Sequence, residues 1–275
     1  YFAFIEEGRW PKDPGSDGMY MLPWRGTGGA FVVNKSLLAK AGLEPPKAGW
    51  TWANWRTWAK QLRDEKAGIW GTKLPTSLTA HVLQAGAPGV ITEDLQKSNW
   101  LHPGVKETVQ FFVDLILTDR SAPKPEEMPQ GPQVQDLFLS GKVAPDSSAA
   151  WNIPAWRKAE FDWDVVPQPV NKTRGSWAGP DDVAIPTASK QRDAAWQFVK
   201  FSTHEVAAQR IIGGTGVPVL KEYALSDAYI RAEAAKKPAS YRIVVEELAT
   251  GRPWLGGIKR WFEVSREIGQ ILPQI

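Results

Sequence analysis

Trp151 stands in the run "SSAAWNIPAW", where the serines and alanines before it are too small to cover its ring and leave the indole room to face a ligand. Trp177 shares the stretch "SWAGPDDVAIP" with Gly179, Asp181 and Asp182, while Asp146, Glu246 and Glu247 supply further carboxylates. Aromatic rings beside carboxylates, amides and arginines suit a polyhydroxylated ring, whose C–H faces pack on indole and whose hydroxyls pair with the polar groups. Such a lining serves either reversible binding or glycosidic hydrolysis by two flanking carboxyl groups. None of these acids sits in a recognisable hydrolase motif, and "PDD" also reads as a solvated Pro-Asp turn.

Other chemistries find no foothold. The sequence has no G-x-x-x-x-G-K-[ST] phosphate loop, no G-x-G-x-x-G dinucleotide fingerprint, no G-x-S-x-G elbow and no H-E-x-x-H zinc motif. His81, His102 and His204 are scattered and read as structural. Without cysteine, the chain has neither disulfides nor thiol nucleophiles nor Cys-ligated metal. No metal site and no cofactor is expected. A net charge of +3, with Lys and Arg spread along the chain, lacks the basic footprint that nucleic acid or an acidic membrane surface needs. The longest apolar run, "VQFFVDLIL", is interrupted by Asp114 and is too short to span a bilayer.

The composition, 43% hydrophobic and 23% charged, is that of a globular chain long enough for one large domain or two lobes. Short apolar runs alternate with helical patterns, which predicts an α/β architecture. "MYMLPW" and "GAFVVN" are expected strands, and the simplest role for Gly26, Gly28 and Gly29 between them is a tight turn. "KSLLAKAG" is a short helix closed by Gly42 in the left-handed region, with Pro45 and Pro46 beyond it. Thr51 caps a helix whose Trp52, Trp55, Ala59 and Leu62 share one face. "HPGVKETVQFFVDLILTD" repeats that pattern through Val105, Val109, Phe112 and Ile116, and "QVQDLFLSG" predicts a shorter helix. "FDWDVVPQPV" and "VAIP" read as strands. "SKQRDAAWQFVKFST" reads as a helix with Ala195, Phe198 and Val199 inward, and "HEVAAQRII" continues helical. "GGTGVPVL" is an extended connector, and the remainder is mostly helical. Trp52, Trp55, Trp163 and Trp196 are assigned to the core.

The succession "YMLPWRGTGGAFVVNKSLLAKAGLEPPKAGWTWANW", "HPGVKETVQFFVDLI", "DLFLSGKVAPDSSAAWNIPAW", "FDWDVVPQP", "VAIPTASKQRDAAWQFVKFST" and "GGTGVPVLK" covers nearly the whole chain. In order and spacing it resembles the extracellular solute-binding proteins of sugar ABC importers, the maltose-binding-protein-like group. The resemblance implies a two-lobed α/β fold of the type II periplasmic-binding-protein class, closing on a ligand between lobes. Residues 28–150 with 217–275 would form the C-terminal lobe, and 1–27 with 151–216 the N-terminal one. The crossovers would lie near 25–29, 150–153 and 213–218. The glycines of "RGTGG" would then be a hinge, since glycine absorbs the backbone changes that lobe closure requires. Family members carry roughly a further hundred residues before the "LPW" strand, so the N-terminal lobe is expected to be incomplete. The opening "YFAFIEEGRWPKDPGSDG", with neither initiator Met nor signal segment, reads as a cut end. A homodimer through the incomplete lobe is one way to cover what remains.

The resemblance also implies a function: capture of a mono- or oligosaccharide outside the cytoplasm, in a periplasm or at a cell surface, and delivery to the permease subunits of an ABC transporter. The ligand-facing residues it points to are Trp151, after the small-residue run, and Trp24 with Arg25 at the first crossover. Trp254 and Trp261, near the C-terminal helices, are further candidates, and His81 and Gln84, before a loop near the cleft, are weaker ones. At "SWAGPDDVAIP" relatives carry a small Gly-rich segment, so Trp177, Gly179, Asp181 and Asp182 depart from the pattern; carboxylates there can grip sugar hydroxyls or an amino sugar. A binding protein for a polyol, osmolyte or peptide shares the fold, and a glycoside hydrolase is the alternative from another class.

Overall fold

The computed structural model describes residues 18–75, 77–92, 97–128, 136–212, 216–253 and 266. Its organising element is β1 (Leu22–Asn34), a 13-residue strand. In chain order there follow α1 (Lys35–Lys40), α2 (Trp52–Leu62), α3 (Thr79–Gln84), α4 (Pro103–Val113), β2 (Pro145–Ala149), α5 (Ile153–Trp156), β3 (Trp163–Val166) and β4 (Trp177–Val183). The order continues with α6 (Arg192–His204), α7 (Val206–Ile212), β5 (Val217–Pro218), α8 (Lys221–Ala224), α9 (Asp227–Ala234), α10 (Tyr241–Thr250) and β6 (Arg252–Pro253).

β1 changes partners halfway along. Its first part pairs antiparallel with β4, from Leu22↔Val183 to Gly28↔Ala178, and Arg25 and Gly26 also face β5. From Gly29 onward it pairs antiparallel with β2, from Gly29↔Ala149 to Val33↔Pro145, and with β3, from Phe31↔Val166 to Asn34↔Trp163. β6 lies parallel to β4. One strand therefore belongs to two halves of the sheet, which meet at Gly28 and Gly29.

The second half is covered on both faces. Successive side chains of a strand point to opposite sides. Phe31 and Val33 pack with Leu38 of α1, Trp55 of α2 and Phe112 of α4, and Ala30 and Val32 with Trp156, Trp163, Val244, Val245 and Leu248. A strand buried on both faces reads as an unbroken apolar run, as "GAFVVN" does.

Several local signals operate as the sequence implies. Asn34 caps α1, and Gly42 beyond it has φ +69. Thr51 accepts from the Asn54 amide at 3.2 Å, and Asn54 returns the bond to the Thr51 amide. Trp52, Trp55, Ala59 and Leu62 are all buried. Along α4 and the π-helical turn Asp114–Thr118 that continues it, Val105 and Phe112 are buried while Val109 and Ile116 are half-buried, because Thr108 and Leu115 take the inner positions instead.

Four expectations are corrected. The two strands around the glycines are one, and Gly26, Gly28 and Gly29 are absent from the positive-φ positions, so no tight turn exists there. The glycines at 28 and 29 answer to close approach instead. A Cβ on Gly28 would lie 2.9 Å from the Trp177 carbonyl oxygen, and one on Gly29 would lie 3.1 Å from both Gln168 Nε2 and Trp177 Nε1. Second, the strand expected at "VAIP" sits upstream as "WAGPDDV", because those residues complete the ladder of β1; the Pro-Asp turn is thereby replaced by β4. Third, residues 136–141 of "QVQDLFLSG" form a turn rather than a helix, with Phe138 buried beside Trp156 and Trp163; residues 133–135 lie outside the described residues. Fourth, Trp196 and Phe198 of α6 are 46% and 57% exposed rather than core. The rotation of α6 is set by polar anchors. Gln209, fully buried, donates from Nε2 to the carbonyls of Ser202 at 2.7 Å and Trp24 at 3.1 Å, and accepts from the Val219 amide at 2.7 Å. That pins Val199, Ser202 and Thr203 inward and leaves Trp196, Phe198 and Phe201 outside.

Replacing Gly28 tests the close approach. Gly28→Ala is expected to cost about 1–3 kcal/mol in urea unfolding, as overpacking against backbone does. Gly42→Ala, where space is open and only the positive φ is violated, should cost about 1 kcal/mol. A Gly28→Ala chain as stable as the parent would refute the close-approach account.

Candidate functional site

Trp151 follows β2 in a single 3-10 turn over Ala150–Asn152 and is 48% exposed. Its ring centroid is 5.7 Å from that of Trp177, with the planes inclined at 57°. Trp177 opens β4, and its indole lies over Gly29 at the point where β1 passes from one half of the sheet to the other. The two tryptophans thus form one partly exposed aromatic surface. Glycine permits this approach: a Cβ at Gly29 would lie 3.1 Å from Trp177 Nε1, so the ring would have to shift by a few tenths of an ångström.

Arg25 and Asp181 also come together. They are direct ladder partners, and the Arg25 guanidinium Nε donates to the Asp181 carboxylate. Trp24 lies beside them, with the Arg25 guanidinium 5.9 Å from its ring centroid. Gly179 is buried opposite Thr27, and Asp182 is half-buried opposite Pro23. Along β4 this group is four residues from Trp177, about 13 Å of strand. The charge of Asp181 is engaged by Arg25 within the sheet. Trp254 and Trp261 lie outside the described residues.

His81 and Gln84 belong to the interior of the α3 packing. Gln84, fully buried, accepts from Trp52 Nε1 at 2.6 Å and donates to the Gly175 carbonyl at 2.8 Å. His81 is enclosed by Trp52, Trp55 and Phe112, and neither ring nitrogen has a partner among the described residues. Burial without a partner for the cation pushes its pKa down to about 3. His102 is a helix cap, accepting from the Gly104 amide through Nδ1 at 3.0 Å.

Beside Trp177 lies a cavity of about 300 Å³ that sequence reasoning did not find. Its walls are the turn Gly86–Pro88 after α3, the segment Thr173–Ser176 leading into β4, and Arg252 of β6. A polar chain links it to the aromatic pair. The Gln168 side chain faces Gly29 next to Trp177, its backbone N–H donates to Glu247 Oε1 at 3.2 Å, and that same oxygen is 3.8 Å from Arg174 Nη2. Glu247 is almost buried, and desolvation raises its pKa above the ordinary glutamate value. The residues were hidden because Arg174, Gln168, Glu247 and Arg252 are far apart in sequence and in no motif. The one local hint was the "GS" preceding Trp177.

The carboxylates considered for hydrolysis are dispersed. Asp146 is buried and bonded by Lys73 Nζ at 3.1 Å, Asp181 is held by Arg25, and Glu246 is exposed while its neighbour Glu247 is buried. A general acid and nucleophile must face one bond from a shared cleft. These acids serve separate ion pairs and faces.

The model of the family of bacterial extracellular solute-binding proteins matches residues 4–209. No curated protein matches the chain. Among solved structures, an ABC substrate-binding protein from Listeria monocytogenes in complex with cycloalternan aligns with a TM-score of 0.84 at 24% identity, covering 98% of this chain and 68% of its own. The cyclic alpha-maltosyl-1,6-maltose binding protein from Arthrobacter globiformis aligns with a TM-score of 0.76 at 20% identity, covering 98% of this chain and 69% of its own. UgpB from Mycobacterium tuberculosis in complex with glycerophosphocholine aligns with a TM-score of 0.78 at 18% identity, covering 100% and 69%. The chain belongs to the bacterial extracellular solute-binding proteins, with the two-lobed type II fold of that family, and spans about 70% of the length of the structures it matches. Members bind and release solutes and are not enzymes, which removes the hydrolase alternative.

The buried His81 makes stability depend on pH. Its folded pKa is below the unfolded value near 6.5, so the unfolded chain binds the extra proton between about 6.5 and 3. Its contribution is whole above the unfolded value and is lost on acidification by up to about 1.4 kcal/mol per pH unit. Thermal midpoints measured from pH 7 downward should fall more steeply for the parent chain than for His81→Leu. Parallel curves would refute a neutral, unpartnered His81.

Proposed function

We propose that this solute-binding protein captures a mono- or oligosaccharide on the surface formed by Trp151 and Trp177 and delivers it to the permease subunits of an ABC importer outside the cytoplasm. The observation that carries the reading is the pair of inclined indoles, one of them 48% exposed, at the place where the two halves of the sheet share a strand. Tryptophan left partly in water offers the flat apolar face that a sugar's C–H surface needs. The cycloalternan complex of one similar structure and the cyclic alpha-maltosyl-1,6-maltose for which another is named favour carbohydrate over peptide or osmolyte. D-mannitol bound to a similar protein from Agrobacterium vitis keeps a polyol in the panel.

In this reading residues 28–150 with 217–275 form one lobe, 1–27 with 151–216 the other, and the segments near 25–29, 150–153 and 213–218 flex between them. Ligand that touches both lobes only when they close favours the closed state by population shift. Trp24 and Arg25 stand on the first crossover, with Arg25 held by Asp181. The exposed Trp196, Phe198 and Phe201 on α6 support a second copy covering that face.

Isothermal titration calorimetry against neutral oligosaccharides, polyols, osmolytes and peptides tests the class of ligand. A sugar is expected to bind, and Trp151→Ala should weaken it by about tenfold or more while changing stability by less than about 0.5 kcal/mol, as an exposed position does. Binding by a peptide or osmolyte alone would overturn the reading. Light scattering after size exclusion should report a dimer that Phe198→Glu dissociates; a monomer at all concentrations would exclude the second copy.

A further inference from the structure

We propose that Glu247 is the positioning residue of the aromatic surface: its charged carboxylate holds the two segments that seat Trp177, so that capture of the sugar weakens in acid. The inference rests on the carbohydrate reading and adds a pH control of the same surface.

The carboxylate stands where three segments meet. Glu247 lies near the C-terminal end of α10, whose Val244, Val245 and Leu248 pack in the core with Ala30, Val32 and Ala178. Leu248 reaches the junction of the two halves of the sheet, its Cδ1 lying 3.3 Å from where a Cβ of Gly28 would stand. From this helix Glu247 Oε1 accepts from the Gln168 backbone N–H at 3.2 Å and pairs with Arg174 Nη2 at 3.8 Å. Gln168 belongs to the segment that leaves β3, and Arg174 to the one that enters β4 at Trp177. The Gln168 side chain and the Trp177 indole then flank one point. Gln168 Nε2 and Trp177 Nε1 each lie 3.1 Å from the place of a Gly29 Cβ. Gln168 Oε1 has no partner among the described residues, so the placing of this side chain rests on packing and on the backbone bond to Glu247.

This hold depends on charge. An ionised carboxylate accepts a hydrogen bond of the stronger, charge-assisted kind and attracts Arg174, and a protonated one loses both advantages. The Glu247 side chain is 8% exposed. Burial raises its pKa above the ordinary glutamate value, the Gln168 amide and the Arg174 charge offset part of that rise, and Glu246 adds to it. Its charge is therefore lost on milder acidification than that of a surface glutamate. Arg252 of β6 lines the cavity beside Arg174. The other ionisable groups on the elements packed against α10 are engaged elsewhere. Asp164 of β3 accepts from Ser240, Asp227 of α9 from Arg242, Glu233 of α9 from Arg157 and Lys236, and Asp181 of β4 from Arg25 of β1. Tyr229 of α9 shares a hydrogen bond with Tyr241.

Stability and binding move in opposite directions at this group. A folded pKa above the unfolded one means that the folded chain holds the extra proton, so acidification favours the fold at Glu247 while it weakens the hold on Gln168 and Arg174. A loss of sugar affinity in acid is then not a loss of fold. By linkage, a sugar that binds better to the ionised form releases a proton on binding.

Calorimetry on the full chain reads both effects, with glucose, maltose, maltotetraose and D-mannitol as uncharged probes between about pH 7.5 and about pH 4.5, above the value of about 3 at which folded His81 charges. Affinity should fall by about fivefold or more across that range, and buffers of different ionisation enthalpy should report proton release on binding. Glu247→Gln keeps the volume and an acceptor for the Gln168 amide but has no charge to lose. It should bind at neutral pH as the parent does in acid, with a flat profile, no proton release and no drop in thermal midpoint. The same comparison subtracts the titration of His102 and His204. Arg174→Gln, at a side chain that is 75% exposed, should move the loss of affinity to higher pH, and Arg174→Lys should restore the parent profile. A sugar that binds with one pH profile in the parent and in Glu247→Gln, without proton release, would overturn the inference and leave the carbohydrate reading intact. Failure of every probe to bind at any pH would overturn the carbohydrate reading and the inference with it.

Discussion

The structure depends on how closely β4 can approach β1 at Gly28 and Gly29. With no side chain at either position, the Trp177 carbonyl and indole occupy the space beside the strand, and β1 can pass without a break from the ladder of β4 to that of β2 and β3. A break there would separate the two halves of the sheet and remove the seat of Trp177. The glycines serve proximity rather than an unusual dihedral, and the same contact places the aromatic surface at the junction.

Buried polar side chains fix the elements around that strand. Gln209 ties α6 and α7 to Trp24 and Val219, and Gln84 ties α3 to the segment before β4 and to Trp52. Amides of this kind satisfy backbone groups that would otherwise be costly to bury, and their geometry admits one arrangement. Apolar packing alone would not choose the rotation of α6, which carries large hydrophobic residues on more than one face. The bonds to Gln209 choose it, and Trp196 and Phe198 are left at the surface.

The electrostatics divide similarly. Carboxylates that look available in the sequence are consumed internally, Asp146 by Lys73 and Asp181 by Arg25, and Arg56 binds both Asp114 and Asp119. Arg174 is paired likewise, with the buried Glu247 at 3.8 Å.

The sequence by itself determined what local physics decides: the α/β class, the capped helix with Trp52 and Trp55 inward, the buried strand "GAFVVN" and the family resemblance, carried by short blocks in order. It also marked Trp151 as exposed, because small neighbours cannot cover an indole. Only tertiary structure decided that the glycines continue a strand, that "WAGPDDV" pairs while residues 184–186 of "VAIP" do not, and which face of α6 is inward, since each depends on a partner distant in sequence. The same holds for the cavity. Arg174, Glu247 and Arg252 carry no periodicity or motif, and their meeting follows from strand register and from the bonds of Gln84, which no local pattern encodes.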